Sequence, residues 1–375
     1  MTRGSPQRDG RLRLLLFSDL LLDCPYEWAP PALADARRTA AREALVELLG
    51  TARQHGVDVI ACAGDLFDRR TVRPDTIQWL IAAFRSAGVR VLIAPGNRDF
   101  VGPLGGYTRH EWPNNVSIFD TDRFAPVEVA DCVTIWGAGH TEAHRDRSFL
   151  DRFDVDRDGV NFALFHGAER SGFEREPYLD ACATFEEAAI GRAGFDHALV
   201  GHYQQPCLGR LHTYPGAPIA HGFGAKPAGG AVLVTLQNDG SIEREYLGLT
   251  SPELHDVEVD LSGVRSTKDA IRRAQDAVGD RSGTLRLRLV GRAPPNLLLQ
   301  REQFLGLVAS TDELLLEWDA EVDVDLEQLA DEQTVRGQFV RDVLSSARLT
   351  DELRQRVLLV GLRALAGSDA LEAPR

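Results

Sequence analysis

The chain has 375 residues, enough for two or three domains with buried cores, and its net charge is −14. This charge argues against nucleic-acid binding through bulk electrostatics, although it leaves room for a local basic groove. No stretch approaches the ~20 consecutive apolar residues of a membrane span, and the five scattered cysteines form no CxxC pair. We therefore expect a cytoplasmic protein in a reducing compartment, with no membrane segment, zinc ribbon or disulfide framework.

The first part of the chain alternates predicted strands and helices. A buried strand over 12–18 precedes a helical pattern from about 34 to 55, which Gly56 ends as a C-cap glycine. The pattern then continues as strand, helix and strand over 57–62, 75–87 and 89–94. A β-α-β-α-β series predicts a parallel or mixed sheet that is flanked by helices.

Strands dominate the next part of the chain. Short apolar runs with turn residues between them predict seven strands, at 116–119, 126–129, 132–136, 160–165, 197–200, 231–236 and 242–247. Interleaved helices followed by a strand-rich half are typical of two mixed sheets packed face to face. The predicted fold class is therefore α/β (α+β), with helices on the outside of the two sheets.

A change in composition near 249–252 predicts a domain boundary. We therefore expect a first domain over 1–250, a small α+β domain over 251–330 and a C-terminal helical segment over 331–375. The elements predicted beyond the boundary are strands at 254–260, 284–290 and 320–326, and helices at 267–278, 297–308, 331–346 and 350–366.

An acidic stretch lies in the second domain. Between 312 and 332 there are ten acidic residues and no basic residue. Residues 321–327 alternate strictly between acidic and apolar, which predicts a strand with carboxylates on one face. A solvated outer face, a docking surface for a basic partner and a surface that repels phosphate backbone all fit this pattern.

Five short polar segments each follow an apolar, strand-like run. They are FSD (17–19), GDLFD (64–68), GNRD (96–99), FHG (165–167) and GHYQ (201–204). Rigid strand ends followed by short loops hold polar side chains in fixed positions. Carboxylate, amide and imidazole groups are ligands of divalent metals, and a pair of ions ~3.5–4 Å apart supplies most of what phosphodiester hydrolysis needs. The five segments therefore predict a phosphoesterase metal centre.

The order of these segments resembles the calcineurin-like metallophosphoesterase superfamily, whose fold is a four-layer sandwich of two mixed sheets flanked by helices. The GDLFD segment and the YPGAP segment at 214–218 narrow the resemblance to the SbcD-type DNA repair exonucleases. The stretch 284–292 also resembles the capping domain of that family. The resemblance covers most of the chain, strongly to about residue 248 and loosely beyond it.

The resemblance implies two sites for Mn²⁺ or Mg²⁺ that share a bridging carboxylate. One site would be complete in this chain, with the ligands Asp65, Asn97, His166 and His202. The other would use Asp19, Asp65 and two histidines, but this chain has Leu21 and Gln204 at the histidine positions. Leucine binds no metal and glutamine offers only a neutral amide oxygen. We therefore expect one tightly bound ion and a degraded second site.

A third departure is Arg98, where the family has a histidine that assists the leaving group or the transition state. An arginine has a pKa above ~12 and cannot donate a proton, but it can stabilise a phosphoryl charge. The residues expected to carry the chemistry are therefore Asp65, Arg98 and Asp19. Phosphate contacts beside the mouth of the site are expected from Arg69, Arg70 and Arg73, although solvated arginines fit equally well. Replacement ligands are conceivable at Asp23, His140, His144, His197 and His221.

Three functions fit the sequence. The first is an SbcD-like DNA exonuclease or endonuclease subunit that works with an SbcC-like coiled-coil ATPase in repair or defence, with cleavage weakened by the three lost histidines. The second is a catalytically inactive structural or DNA-binding subunit of such a complex. The third is a phosphodiesterase that acts on a small substrate. The family also implies a homodimer and a C-terminal helix that binds the ATPase, for which 353–367 is a candidate.

Overall fold

The structure is a computed structural model that describes residues 12–103, 105–174, 176, 179–224, 229–250, 252–294, 297, 299–307 and 313–365. The chain divides into two compact units, one ending at Pro252 and the other beginning at Glu253. The division into three domains stays a prediction. Among the described helices, none is long and apolar enough to cross a membrane.

The first sheet of the first unit has six strands. Their spatial order is β12 (Ile242–Gly248), β11 (Gly230–Leu236), β1 (Leu12–Phe17), β2 (Val59–Cys62), β3 (Arg90–Ile93) and β4 (Val116–Ile118). Strands β1 to β4 are parallel, and β11 is antiparallel to both of its neighbours. The central strands are continuous apolar runs because both of their faces are buried.

The second sheet also has six strands. Their order is β5 (Ala125–Ala130), β6 (Val133–Gly137), β7 (Val160–His166), β8 (His197–Gly201), β10 (His212–Tyr214) and β9 (Cys207–Leu208). Strands β6, β7, β8 and β10 are parallel, whereas the edge strands β5 and β9 are antiparallel to their neighbours. The sequence did not predict β9 and β10, which are too short to show an alternating pattern.

Helices cover the outer faces of both sheets. On the first sheet, α1 (Pro31–Gln54) and α2 (Pro74–Ala87) share an apolar core with β1, β2 and β3. Each begins with a proline in its first turn, which is why α1 starts before the predicted residue 34. On the second sheet, α3 (Glu187–Arg192) packs against an aromatic cluster. A separate apolar cluster joins strands of the two sheets. The predicted face-to-face sandwich is therefore confirmed.

The second unit contains a three-stranded parallel sheet and several helices. The sheet order is β13 (Leu254–Asp260), β14 (Thr284–Val290) and β16 (Leu314–Trp318), and α4 (Thr267–Val278) packs on one face of it. A short pair of strands and three helices complete the unit: β15 (Arg292–Ala293), β17 (Glu321–Val322), α5 (Leu326–Asp331), α6 (Val335–Ser345) and α7 (Asp351–Leu365). The predictions of β13, α4, β14 and α7 agree with these elements.

Two predictions in this unit are wrong. The predicted strand over 320–326 is reduced to β17, because the carboxylate of Asp325 accepts from the backbone N–H groups of Glu327 and Gln328 and starts α5 instead. The predicted helix over 331–346 agrees with α6, which begins directly after its N-cap, Thr334. The predicted helix over 297–308 is a 3₁₀ helix at Arg301–Leu307.

Arginines of β14 pair with part of the acidic stretch. Arg286 donates to Asp256 at 2.6 Å on one side and lies 3.5 Å from Glu317 on the other. Arg288 bonds Asp319 at 3.1 Å. These cross-strand pairs lie on the face of the sheet opposite α4. They favour the interpretation of a solvated outer face over that of a docking surface.

Candidate metal centre

Five polar residues lie where parallel strands end. Asp19, Asp65 and Asn97 follow β1, β2 and β3 of the first sheet, while His166 ends β7 and His202 follows β8 in the second sheet. The strands within each set are neighbours. The carboxyl ends of both sheets therefore meet at one place, which is where the sequence predicted the metal centre.

Three of these side chains converge in the interior. Asp19, Asp65 and His166 are all buried, and each offers a ligand atom within 4.8 Å of those of the other two. Nε2 of His166 lies 3.7 Å from Oδ2 of Asp65. The predicted bridging carboxylate thus lies beside one predicted ligand of each site.

Two ligand atoms at this point lack a hydrogen-bond partner among the described residues, namely Oδ1 of Asn97 and Nε2 of His166. Buried polar atoms are nearly always hydrogen-bonded, so such a pair requires an explanation. Nδ1 of His166 donates to the carbonyl oxygen of Ala63 at 2.8 Å, so Nε2 is the nitrogen that faces the Asp65 carboxylate. Burial lowers the pKa of this imidazole, but the charges of Asp65 and Asp19 outweigh burial and raise the pKa overall, so a metal ion would displace the proton from Nε2. An imidazole fixed in this way is typical of metal ligands, and the residues present fit a divalent ion.

His202 has the same arrangement beside the group of three. Its Nε2 donates to the carbonyl oxygen of Asp180 at 2.9 Å, which leaves the lone pair on Nδ1. Its ring centroid is 5.3 Å from that of His166. Burial and the nearby His166 lower the pKa of His202 to about 3, so its imidazole is neutral at physiological pH. His202 is therefore available as a ligand at the edge of the centre.

Asp99 organises the centre, and the sequence analysis did not single it out. Its carboxylate accepts from the N–H groups of Asp65 at 3.0 Å, Leu66 at 2.8 Å and Gly96 at 2.6 Å, and from the Tyr107 hydroxyl at 2.6 Å. These bonds fix the loop after β2 against the loop after β3. The sequence signal that could have identified Asp99 is its place at the end of the GNRD segment, since aspartates in turns often bond nearby backbone N–H groups.

The glycines of the polar segments allow the loops to approach each other closely. A Cβ added at Gly96 would lie 2.2 Å from Oδ1 of Asp65. At Gly64, where φ is +92°, a Cβ would lie 2.7 Å from Nδ1 of His166. Any other residue at these positions would displace the side chains of the centre.

Tyr214 of the YPGAP segment holds the loop after β7. Its hydroxyl donates to the carbonyl oxygen of Gly167 at 2.7 Å and accepts from the N–H of Glu169 at 3.0 Å. This segment therefore fixes the backbone directly after His166, which gives the family signature a structural role.

The two substituted positions supply no imidazole. Leu21 is 5% exposed and packs in the core between the first sheet and its helices. The backbone N–H of Gln204 donates to Oε1 of Glu176 at 3.1 Å. The carboxylate of Glu176 therefore bonds to the main chain at this position. The predicted second site therefore keeps Asp19 and a share of Asp65.

Three of the conceivable replacement ligands lie elsewhere. Asp23 accepts from the backbone N–H of Arg73 at 2.9 Å. His144 has a side chain that is 73% exposed. His197 is at the opposite end of β8 from the centre, where it bonds the hydroxyl of Thr213 at 2.8 Å.

The other two replacement candidates touch the backbone of predicted ligands. Nε2 of His140 donates to the carbonyl oxygen of His166 at 2.8 Å, and Nε2 of His221 donates to the carbonyl oxygen of Asp19 at 2.7 Å. Burial lowers the pKa of His140 to about 3 and that of His221 to about 4. Both are neutral imidazoles behind the ligands, and neither belongs to the group of three.

Arg98 brings a positive charge to the mouth of the centre. Its backbone N–H donates to Oδ1 of Asp65 at 2.8 Å, and its guanidinium lies 3.7 Å from Oδ2 of Asp68. The side chain is 45% exposed, so it is accessible to a ligand. Arg70 is an exposed second partner of the same Asp68 carboxylate.

The remaining predicted phosphate contacts, Arg69 and Arg73, differ in their contacts. The guanidinium of Arg69 lies over the ring of Phe100, 4.4 Å from its centroid, and donates to the carbonyl oxygen of Pro103 at 3.0 Å. Arg73 is 63% exposed and lies 3.4 Å from Asp75. Their role toward phosphate stays a prediction.

The buried carboxylates repel each other. Burial and the charge of Asp19 raise the pKa of Asp65 to about 6, against the opposing effects of His166 and Arg98. Burial and the charge of Asp65 likewise raise the pKa of Asp99 to about 6. A divalent cation would relieve this repulsion, and protons compete with it for the same oxygens.

We expect Mn²⁺ affinity to fall as the pH falls through about 6, where Asp65 takes up a proton. Because this pKa is raised by folding, the metal-free folded state binds more protons than the unfolded state between about pH 4 and 6. The free energy of unfolding of the metal-free protein should therefore decrease as the pH rises across this range. Thermal unfolding with and without Mn²⁺ at several pH values measures both effects. A Mn²⁺-induced shift of equal size below and above the range would contradict this expectation.

Comparison with known proteins shows which family the chain resembles in sequence. The sequence model of a family described as calcineurin-like phosphoesterase matches residues 12–206, a range that contains all five polar segments and more than half of the chain. A relative in Methanopyrus kandleri, the DNA double-strand break repair protein Mre11, is 27% identical over an alignment of 277 residues, and the match covers 64% of this chain and 58% of that protein. The match thus spans less than two thirds of the relative's length.

A solved structure, that of TT1561 of Thermus thermophilus, matches with a TM-score of 0.39 and 14% sequence identity, over 63% of this chain and 98% of that one. The family assignment rests on the sequence model, whose range includes β1 to β8 and the loops that carry the predicted ligands. The chain belongs to the calcineurin-like phosphoesterase family.

Proposed function

We propose that the protein is a DNA-processing metallophosphoesterase subunit of the SbcD type whose centre binds one Mn²⁺ or Mg²⁺ tightly. The observation that supports this most is the convergence of Asp19, Asp65 and His166, in which Nε2 of His166 has no hydrogen-bond partner among the described residues. Calcineurin-like phosphoesterases use divalent metal ions, and the donors fit such an ion. When bound, the ion would lower the pKa of a water nucleophile and neutralise charge on the phosphoryl group.

The residues of the chain would act around that ion as follows. Asp19, Asp65 and His166 would hold it together with Asn97, with His202 at the edge. The guanidinium of Arg98 would contact a non-bridging phosphoryl oxygen, since it is exposed beside the centre. Because the net charge is −14, DNA binding would depend on local cations. The arginines beside the centre would supply these local cations, namely Arg69, Arg70, Arg73 and Arg98.

Cleavage by this centre should be weak. Arg98 cannot act as a general acid, and the loss of such help typically costs 10²–10⁴-fold in rate. The second site has also lost two imidazole ligands. We expect slow, Mn²⁺-dependent cleavage of linear duplex and single-stranded DNA.

A second candidate function is a catalytically inactive DNA-binding or structural subunit. The burial of Leu21 favours it, because an apolar core residue now occupies a position that would face a metal in an active enzyme. A phosphodiesterase that acts on a small substrate is the third possibility. Activity on a chromogenic phosphodiester, combined with no cleavage or binding of DNA, would support that function.

The proposal includes an SbcC-like coiled-coil ATPase as the partner, a homodimer as the assembly and a cytoplasmic location. The name of the Methanopyrus kandleri relative supports a place in double-strand break repair. Exposed apolar residues on the C-terminal helices are available for a partner, namely Val335, Leu344 and Leu353. Defence against foreign DNA would use the same chemistry.

Restoring both lost histidines tests this proposal directly. We expect wild type to bind one Mn²⁺ tightly, and a Leu21→His/Gln204→His variant to bind a second ion and to cleave DNA about 10²-fold faster. Elemental analysis after dialysis and a nuclease time course measure the two quantities. Leu21→His alone is the control for a destabilising effect of histidine in the core. Two tight Mn²⁺ ions per wild-type chain would contradict the one-ion expectation.

A further inference from the structure

A chain of hydrogen bonds connects Asp19 to a histidine outside the five polar segments. Nε2 of His221 lies 2.7 Å from the carbonyl oxygen of Asp19. Because a carbonyl oxygen only accepts, the proton of His221 is on Nε2, and its Nδ1 accepts from the Tyr26 hydroxyl at 3.4 Å. The carbonyl oxygen of His221 itself accepts from Nε1 of Trp28 at 3.0 Å. His221 is therefore held on three sides.

Asp19 needs such a contact because its backbone is strained. Its φ is +55°, a left-handed conformation that costs a non-glycine residue about 1–3 kcal/mol unless its surroundings impose it. Three bonds from three different segments impose it here. The N–H of Asp19 donates to Gly64 at 3.0 Å, Oδ2 accepts from the N–H of His202 at 3.0 Å, and the carbonyl oxygen accepts from His221.

The bond from His221 fixes the peptide that follows Asp19. Without it, the carbonyl oxygen would lose its bond, and only the bonds with Gly64 and His202 would oppose relaxation of the left-handed conformation of Asp19. The position of Asp19 has particular weight in this chain, because Leu21 and Gln204 supply no imidazole to the same site.

We propose that His221 is a positioning residue, which holds Asp19 in the left-handed conformation that directs its carboxylate into the metal centre. The proposal rests on the proposed function, since it requires that the centre bind a divalent ion. His221 acts only through Asp19 and touches no reacting atom. Outer residues that orient metal ligands in this way typically contribute 10–100-fold to metal affinity.

The test compares substitutions that keep or remove the donor at Nε2. The side-chain amide of glutamine can reach the position of Nε2, whereas that of asparagine is too short and leucine has no donor. We expect the Kd for Mn²⁺ to rise about tenfold or more in His221→Leu and His221→Asn, and to stay within about threefold of wild type in His221→Gln. Isothermal titration with Mn²⁺ and the EPR spectrum of the bound ion provide the measurements.

His197→Leu is the matched control. His197 is another imidazole that makes a side-chain hydrogen bond, with the Thr213 hydroxyl, but it lies at the far end of β8. Its loss should leave the Kd for Mn²⁺ unchanged. If His197→Leu weakens Mn²⁺ binding as much as His221→Leu does, a general effect of losing a buried histidine explains the result and the inference is overturned.

The remaining outcomes separate the inference from the function on which it rests. Tight binding by wild type with an unchanged Kd in His221→Asn overturns the inference alone. The absence of Mn²⁺ binding by wild type overturns the proposed function and the inference together. If His221→Leu does not fold, the comparison of His221→Asn with His221→Gln decides, because both keep a polar amide.

Discussion

An Asp65→Asn variant is expected to lose tight Mn²⁺ binding while its metal-free form unfolds at the same temperature as wild type or a higher one. The pKa of Asp65 is raised to about 6, so above that pH the folded protein carries a buried charge that it would be more stable without. The neutral amide removes this charge and keeps an oxygen for the backbone N–H of Arg98. The gain in the metal-free state should be on the order of 2 kcal/mol at about pH 8.

Titration calorimetry with Mn²⁺ and thermal unfolding in the presence of a chelator measure the two parts of this prediction. Asp23→Asn is the control, because Asp23 is equally buried but bonds the backbone of Arg73 outside the centre. That variant should bind Mn²⁺ normally. Retained Mn²⁺ affinity in Asp65→Asn would show that the ion, if bound, is held elsewhere and would remove the main support for the proposed function.

A Gly201→Ala variant is expected to lose several kcal/mol of stability, about 3 or more. Gly201 ends β8, and an added Cβ would lie 2.1 Å from the carbonyl oxygen of Ala63 and 2.9 Å from Nδ1 of His166. Neither neighbour can yield, since one is backbone and the other is a buried ring. The two sheets would have to separate at the centre.

Chemical denaturation with and without Mn²⁺ measures this effect. Gly50→Ala provides the comparison, because Gly50 lies inside α1 and an added Cβ there has nothing within 4 Å. Alanine at that position should stabilise the protein by about 0.5–1 kcal/mol. Wild-type stability in Gly201→Ala would mean that the loops after β2 and β8 are not packed as closely as the structure has them.

The fold and the outline of the centre could be predicted because their signals are local. Each strand is a short apolar run, and each ligand comes within a few residues of a strand end. Periodicity therefore placed Asp19, Asp65 and His166 at sheet edges before any contact was known. The resemblance then supplied the pairing of those edges, which no local pattern contains.

What the sequence could not show depends on contacts between distant residues. The Asp99 carboxylate and the bond from His221 to Asp19 join loops that only the folded chain brings together. The strand predicted over 320–326, in the acidic stretch, was wrong for a different reason. Alternation predicts a strand, but Asp325 is also a good N-cap, and the helix that it starts provided the better burial for Leu329.

The placement of the centre at the ends of both sheets has a consequence for the kinetic stability of the protein. Asp65 and Asn97 belong to the first sheet, whereas His166 and His202 belong to the second. One ion held by all four would act as a cross-link between the halves of the sandwich, much as a disulfide joins distant segments. Such an ion would slow the separation of the sheets whether or not it cleaved anything.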